Sequence, residues 1–346
     1  MKKIPGILLI ALLLGCIEPI HFDVSESPQV MVIEGSVQQG KGPHTLSISY
    51  TGELGKQVFQ TIDDAQATLF NSEGETEEFV ATGEGKYRTD GQIEGQTGVE
   101  YFIEVEVSGK IYRSLPEILP VKISIDNAYF ALEKEEVFQE ADRVQAKPYF
   151  KVYTESTLPE DQNDIFILWN LENVFVVTEI RCSPFGGPRS CYIRFPLSDQ
   201  LLPVFDGTKL APGSSFNHLI ASKIVDYSFG ERQTFLIFQN SITREAYDYW
   251  DKIKKVSQQH GSIFDVPPSA VKGNIYNISD PQDPVLGFFS ALNTDTALIS
   301  VTRFDLDEGF EQLPFCGLPG LYFRYEPACC NCLSLKNSSS DRPEYW

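Results

Sequence analysis

His44-Thr45-Leu46-Ser47-Ile48-Ser49-Tyr50 alternates apolar and polar residues, with Leu46, Ile48 and Tyr50 on one face. A period of two marks a half-buried strand, because successive side chains of extended backbone point to opposite sides. Upstream, Val30–Val37 is a second apolar run, separated from the first by the turn residues Gly40-Lys41-Gly42-Pro43. Downstream, Ala65–Phe70, Glu77–Thr82, Lys86–Thr89, Tyr101–Val107 and Lys110–Leu115 continue the series, broken at short intervals by Gly, Asn and Asp. Ser108-Gly109 is a tight hairpin turn between the last two. Short strands at this spacing predict an immunoglobulin- or transthyretin-like β-sandwich over residues 29–120, closed by Pro116 and Pro120.

Residues 121–335 read as a larger β-rich domain, making the whole chain mainly β. Ile123–Leu132, Tyr149–Thr154, Asp164–Asn170, Val174–Ile180, Phe235–Gln239 and Leu286–Ala291 are the expected strands, with Glu133–Lys147 a charged, mobile connection. One segment has a different period. Ala246, Tyr249, Trp250, Ile253 and Val256 recur at three- and four-residue spacing, which predicts one amphipathic helix near 243–259. Ser241 or Thr243 caps its start and Gly261 its end. The stripe reads as core, as does Trp169 within its apolar strand. Residues 336–346 are a polar tail ending in Trp346.

The other end of the chain carries an address. Lys2 and Lys3 precede an apolar run, Ile4–Leu14, far shorter than the roughly 20 residues a membrane-spanning helix needs. Leu13-Leu14-Gly15-Cys16 resembles the bacterial lipobox, which implies a signal peptide over residues 1–15, cleavage before Cys16 and lipid on its sulfur and amino group. Two or three acyl chains suffice for stable anchoring. Residues 16–28 then form a lipidated tether, reaching on the order of 40 Å when extended. Pro19 follows Ile17 and Glu18, so no Asp occupies the position that retains lipoproteins in the inner membrane. The expected location is the outer membrane, with the cell surface favoured over the periplasmic face.

The chain has 346 residues, a formal charge of −20 and seven cysteines. Loss of Lys2 and Lys3 with the signal takes the charge to −22. Such a surface excludes nucleic acid as a partner, since that binding rests on clustered Lys and Arg. With Cys16 committed to lipid, Cys182, Cys191, Cys316, Cys329, Cys330 and Cys332 form an even set, which in an exported protein reads as a disulfide framework. Cys182 and Cys191 flank a turn-rich insert and are the favoured single pairing, a staple near the base of a hairpin. Cys316 is expected to pair within the Cys329/Cys330/Cys332 cluster. A thiolate metal site from these four is the alternative, but adjacent and C-x-C spacings depart from the usual zinc spacing of C-x₂₋₄-C.

Catalytic signatures are missing. The sequence contains no G-x-x-x-x-G-K-[ST], H-E-x-x-H or G-x-S-x-G. His21, His44, His218 and His260 are scattered, and Asp305-Leu306-Asp307-Glu308-Gly309 departs from a calcium loop and reads as a turn. No cofactor, metal or catalytic residue is assigned. Asp295-Thr296-Ala297 resembles a short O-glycosylation signal of the Bacteroidota periplasm, which would modify Thr296.

Several segments together are more specific. Tyr249-Trp250-Asp251-Lys252, Gly261-Ser262-Ile263-Phe264-Asp265-Val266-Pro267-Pro268, Val271-Lys272-Gly273-Asn274-Ile275 and Asp283-Pro284-Val285-Leu286-Gly287-Phe288-Phe289-Ser290 stand in that order. With Cys329-Cys330-Asn331-Cys332 and Pro343-Glu344-Tyr345-Trp346, they resemble the family of exported Bacteroidota lipoproteins catalogued as domain of unknown function 4249, over Val30 to Trp346. The resemblance implies an outer-membrane accessory or binding protein beside a TonB-dependent receptor of the SusC-like kind, and it carries no catalytic residues. An extracytoplasmic hydrolase of glycan or peptide and a structural or adhesive surface lipoprotein are the alternatives.

Overall fold

In Thr45–Tyr50, Leu46 and Ile48 are buried while Thr45 and Ser47 are exposed, so the alternation that marks the strand also sets its inward face. A computed structural model of the chain describes residues 29–346 apart from 53–59, 140–142, 162–163, 183–187, 197–201, 259–269 and 318–325. The signal, Cys16 and its tether, His21, His260 and the Gly261 cap lie outside the described residues.

Residues 31–118 supply ten strands, β1 (Met31–Gln38), β2 (Gly40–Lys41), β3 (Thr45–Tyr50), β4 (Gln66–Asn71), β5 (Thr76–Gly83), β6 (Lys86–Arg88), β7 (Glu94–Gly95), β8 (Glu100–Val107), β9 (Lys110–Ser114) and β10 (Glu117–Ile118). Each predicted run from Val30 to Leu115 falls on one of them. β8 alternates strictly, burying Tyr101, Ile103, Val105 and Val107. It turns into β9 through Ser108 and Gly109, both at positive φ (51° and 78°), the conformation that a two-residue hairpin turn demands.

The rest of the chain supplies β11 (Asn127–Gln139), β12 (Arg143–Thr157), β13 (Phe166–Thr178), β14 (Ser190–Pro196), β15 (Val204–Asp206), β16 (Ser215–Ile224) and β17 (Arg232–Ile242). One helix, α1 (Arg244–Gln258), follows, then β18 (Ile275–Asn277), β19 (Val285–Leu286), β20 (Phe289–Thr302) and β21 (Ser338–Ser339). The chain is mainly β with this single α-helix among the described residues. No described helix is long and apolar enough to cross a membrane.

β20 joins the two groups of strands. Its first residues run parallel to β1, with Gly35 opposite Phe289 and Val37 opposite Ala291, and its remainder pairs antiparallel with β17. The sheet therefore continues from β18 and β9 through β3, β1 and β20 to β17, β13, β14 and β21. The core inside β1–β9 accordingly includes Ile275, Val285, Phe289 and Ala291 from after residue 270. Gly287 makes that return possible: its φ is +98°, and a Cβ there would lie 2.0 Å from the Ile33 carbonyl oxygen.

The second core lies between β13–β17–β20 and the smaller sheet β11–β12–β16, and includes Phe150, Trp169, Phe235 and Ile237. Trp169 is 1% exposed and donates its indole N–H to Gln239 Oε1 at 2.8 Å, satisfying the one polar atom of a buried ring. Helix α1 covers the opposite face of β13. Ala246, Tyr249, Trp250 and Ile253 pack against Phe166, Leu168 and Ile242, as the helical period predicts. Thr243 is the cap, its Oγ1 accepting the Ala246 N–H at 3.1 Å.

Three expectations are corrected. Glu133–Lys147 is no loose connection: Glu133 pairs with Tyr149, Glu135 with Lys147 and Gln139 with Arg143 in a long hairpin arm of β11 and β12. Its charges occupy an exposed ladder, where Lys151 Nζ reaches both Glu133 and Glu135 at 2.6 Å. Asp164–Asn170 and Val174–Ile180 belong largely to one strand, β13, because polar Asn173 between them is buried and accepts a hydrogen bond from Gln233 Nε2 at 2.9 Å. Part of the tail is anchored. Ser338 and Ser339 pair with Ile193 and Tyr192, and Trp346 meets the Tyr192 ring edge-on at 5.1 Å.

Candidate functional site

The β13–β14 hairpin ends its ladder with Thr178 opposite Ser190, and the Glu179 N–H extends it by one bond to the Arg189 carbonyl at 2.8 Å. The C-terminal segment closes over this end. Ile180 N–H donates to the Cys329 carbonyl at 2.9 Å, and Cys332 N–H to Glu179 Oε1 at 3.0 Å. Burial raises the Glu179 carboxyl, but the Cys332 and Arg189 amides and the Arg189 guanidinium at 3.1 Å outweigh it and hold the group below the usual carboxylate range.

Six cysteines hold this arrangement as three disulfides: Cys182–Cys330, Cys191–Cys332 and Cys316–Cys329. The expected staple between Cys182 and Cys191 is therefore corrected. Strand register puts Cys191 opposite Val177, while Cys182 lies beyond the end of the ladder, so neither faces the other. The expectation for Cys316 agrees with its bond to Cys329. Glu179, Cys191 and Cys332 offer atoms within 4.8 Å of one another, but the two sulfurs are bonded together and are not thiolates.

Between the stapled end and the start of β17 lies an open cleft of about 850 Å³. Val176, Ile180, Pro188 and Pro314 give apolar walls, and Phe304 stands at 81% exposure. Gly230 lines it too, and a Cβ there would meet the Leu313 carbonyl oxygen at 2.2 Å, so glycine lets the 313–314 wall approach. Arg181, Arg232 and Arg303 lie around the same space. Arg303 stacks its guanidinium 4.6 Å from the centre of the Phe304 ring, and Arg232 lies 5.7 Å from Trp346. None of the three has a carboxylate partner among the described residues.

The carboxylates of the cleft are already engaged. Glu231 accepts the Thr178 N–H at 2.8 Å and the Thr178 hydroxyl at 2.6 Å. Thr302, also in the lining, donates its hydroxyl to Asp305 at 2.7 Å, and its backbone N–H to the same carboxylate closes a capping box at the short helix Arg303–Asp305. The lining can bind and orient an anion; its two hydroxyls face carboxylates through their protons.

Other chemically suggestive residues are structural. His44 is fully buried, accepting the Gln38 N–H at Nδ1 and facing the Ile93 carbonyl with Nε2 at 3.1 Å. His218 stacks on Trp169 at 4.7 Å. Lys223 Nζ lies 2.8 Å from Ser228 Oγ, and burial pushes its pKa down to about 8 against the opposing pull of Asp226. Yet Ser228 is 2% exposed and donates its hydroxyl to Asp226 at 2.6 Å, so no substrate reaches that pair. Thr296 is exposed on β20, beside an Asp295 carboxylate that accepts the Ile125 N–H at 2.8 Å.

The fold is that of a mainly β protein whose disulfide-stapled end borders an open, arginine-lined cleft. The chain belongs to the family described as Domain of unknown function (DUF4249), whose model matches residues 17–297. No protein with a curated description matches it. The arginine trio escapes sequence reading because its members are some 50 and 70 residues apart and share no period. Only the sheet register, pairing Arg232 with Thr302, brings two of them together.

Proposed function

We propose that this chain is an exported binding protein, anchored through lipid on Cys16 to the outer membrane and acting as an accessory to a TonB-dependent receptor. The observation that carries the export reading is the cysteine pairing. Three disulfides suit an oxidising compartment, and they leave Cys16, behind its apolar leader, as the one cysteine for a lipid. Binding is favoured over hydrolysis because the cleft offers cations and apolar walls, and its threonine hydroxyls are tied to carboxylates. The acidic body is repelled by anionic headgroups, which suits a domain held off the bilayer on a tether. Thr296, exposed on β20, is the residue that O-glycosylation would use.

The test is affinity capture of the full-length lipidated protein from detergent-solubilised outer membranes. A stoichiometric β-barrel receptor is expected to accompany it. Recovery of the intact lipoprotein with no barrel partner would contradict the accessory role.

A further inference from the structure

We propose that the cleft seats a small organic anion: an oxyanion headgroup held by Arg181, Arg232 and Arg303, joined to a flat apolar body lying against Phe304 and the Val176–Ile180 wall. This rests on the binding reading above and adds the ligand's chemical class.

Charge carries the argument. On a chain with 48 acidic and 28 basic residues, a concave surface would by chance collect more carboxylates than cations. Here three arginines line one cleft without carboxylate partners among the described residues, whereas its acids are occupied. Glu179 is neutralised by Arg189, and Glu231 spends both oxygens on Thr178. The surplus positive charge is therefore available to a ligand. Guanidinium groups suit carboxylate, sulfonate or phosphate groups, which accept paired N–H bonds from the planar fork. A charge that faces low-dielectric walls on one side is also screened less than one on an open surface.

Shape supplies the second half. A volume of about 850 Å³ falls in the range of small-molecule sites. Scattered surface arginines would need no such concavity, and an exposed ring needs no partner by itself. Phe304 differs in being stacked with Arg303, so a flat ring and a guanidinium lie together in the lining of the cleft. A planar apolar body can lie on the exposed face of the Phe304 ring while its headgroup meets the guanidinium donors.

Two dyes of nearly the same aromatic frame separate charge from hydrophobicity. The anion 8-anilinonaphthalene-1-sulfonate and the neutral N-phenyl-1-naphthylamine would be titrated by fluorescence against the folded, oxidised protein. The sulfonate is expected to bind at one saturable site. The double variant Arg232→Gln/Arg303→Gln should weaken it at least about tenfold, as loss of charge-assisted hydrogen bonds does, and leave the neutral dye unchanged. Phe304→Ala should weaken both dyes. Should the double variant unfold, Arg181→Gln, at an exposed side chain, tests the same effect at about threefold or more. Binding of both dyes that ignores every arginine substitution overturns the anion inference and leaves a binding cleft. Failure of the folded wild type to bind either dye removes both readings.

Discussion

Removing either of the bridges Cys182–Cys330 and Cys191–Cys332 is expected to cost about 3 kcal/mol, and removing both about 8 kcal/mol. The two bonds span 148 and 141 residues and are nearly concentric, Cys182 lying close to Cys191 in sequence and Cys330 close to Cys332. While one remains, the long loop stays closed, and the other constrains only a short loop on the order of ten residues, worth about 3 kcal/mol. Loss of the second then releases a loop longer than 100 residues, worth about 5 kcal/mol. Paired Cys→Ala variants, compared by denaturant unfolding without reductant, should therefore show a coupling of about 2 kcal/mol in excess of additivity. Strict additivity would mean that the bridges constrain separate loops, against the pairing described.

Glu117→Gln is expected to stabilise the protein at pH 8 by about 3 kcal/mol and to change little at pH 5. Glu117 is 3% exposed where β10, the start of α1 and the segment before β18 meet. It accepts hydrogen bonds from Thr243 Oγ1 and from Asn274 Nδ2, the latter at 3.1 Å. Burial pushes its pKa up to about 7, aided by nearby Glu245 and opposed by those two hydrogen bonds. Between the ordinary value of 4.5 and about 7 the folded state binds a proton that the unfolded state has released. Stability contributed by this group is therefore complete below about 4.5 and is lost as pH rises through 7. A glutamine keeps the acceptor for Asn274 and offers Thr243 an N–H, reproducing the protonated acid. Glu34, raised by its own burial, gives a parallel trend that cancels between the two proteins. A variant equally destabilised at both pH values would show that the carboxylate, not the acid, is the form the fold requires.

Legibility followed the range of the interactions. The strands from Val30 to Leu115 and the helix stripe at Ala246, Tyr249, Trp250 and Ile253 were readable because burial on one face writes a local period into the sequence. The cap was readable only as Ser241 or Thr243, both hydroxyls near the helix start; the structure selects Thr243, while Ser241 accepts the Ile123 N–H. What needed three dimensions was register. Cys191 facing Val177 decides the disulfides, and Gly35 facing Phe289 decides that β20 completes the first core. The Glu133–Lys147 arm misled because a ladder exposed to water resembles a loop in composition. Glu117, Lys223 and the three arginines carry no local mark at all; their surroundings come largely from segments some 50 or more residues away or from the turn that follows.

Intact and peptide mass spectrometry of the protein extracted from membranes under non-reducing, alkylating conditions tests the central claim most directly. The account predicts a chain beginning at Cys16 with diacylglycerol and acyl additions, no alkylated cysteine, and cross-linked peptides joining Cys182 to Cys330, Cys191 to Cys332 and Cys316 to Cys329. A chain retaining Met1–Gly15, or alkylated thiols among the six C-terminal cysteines, would contradict an exported, lipid-anchored, disulfide-built binding protein.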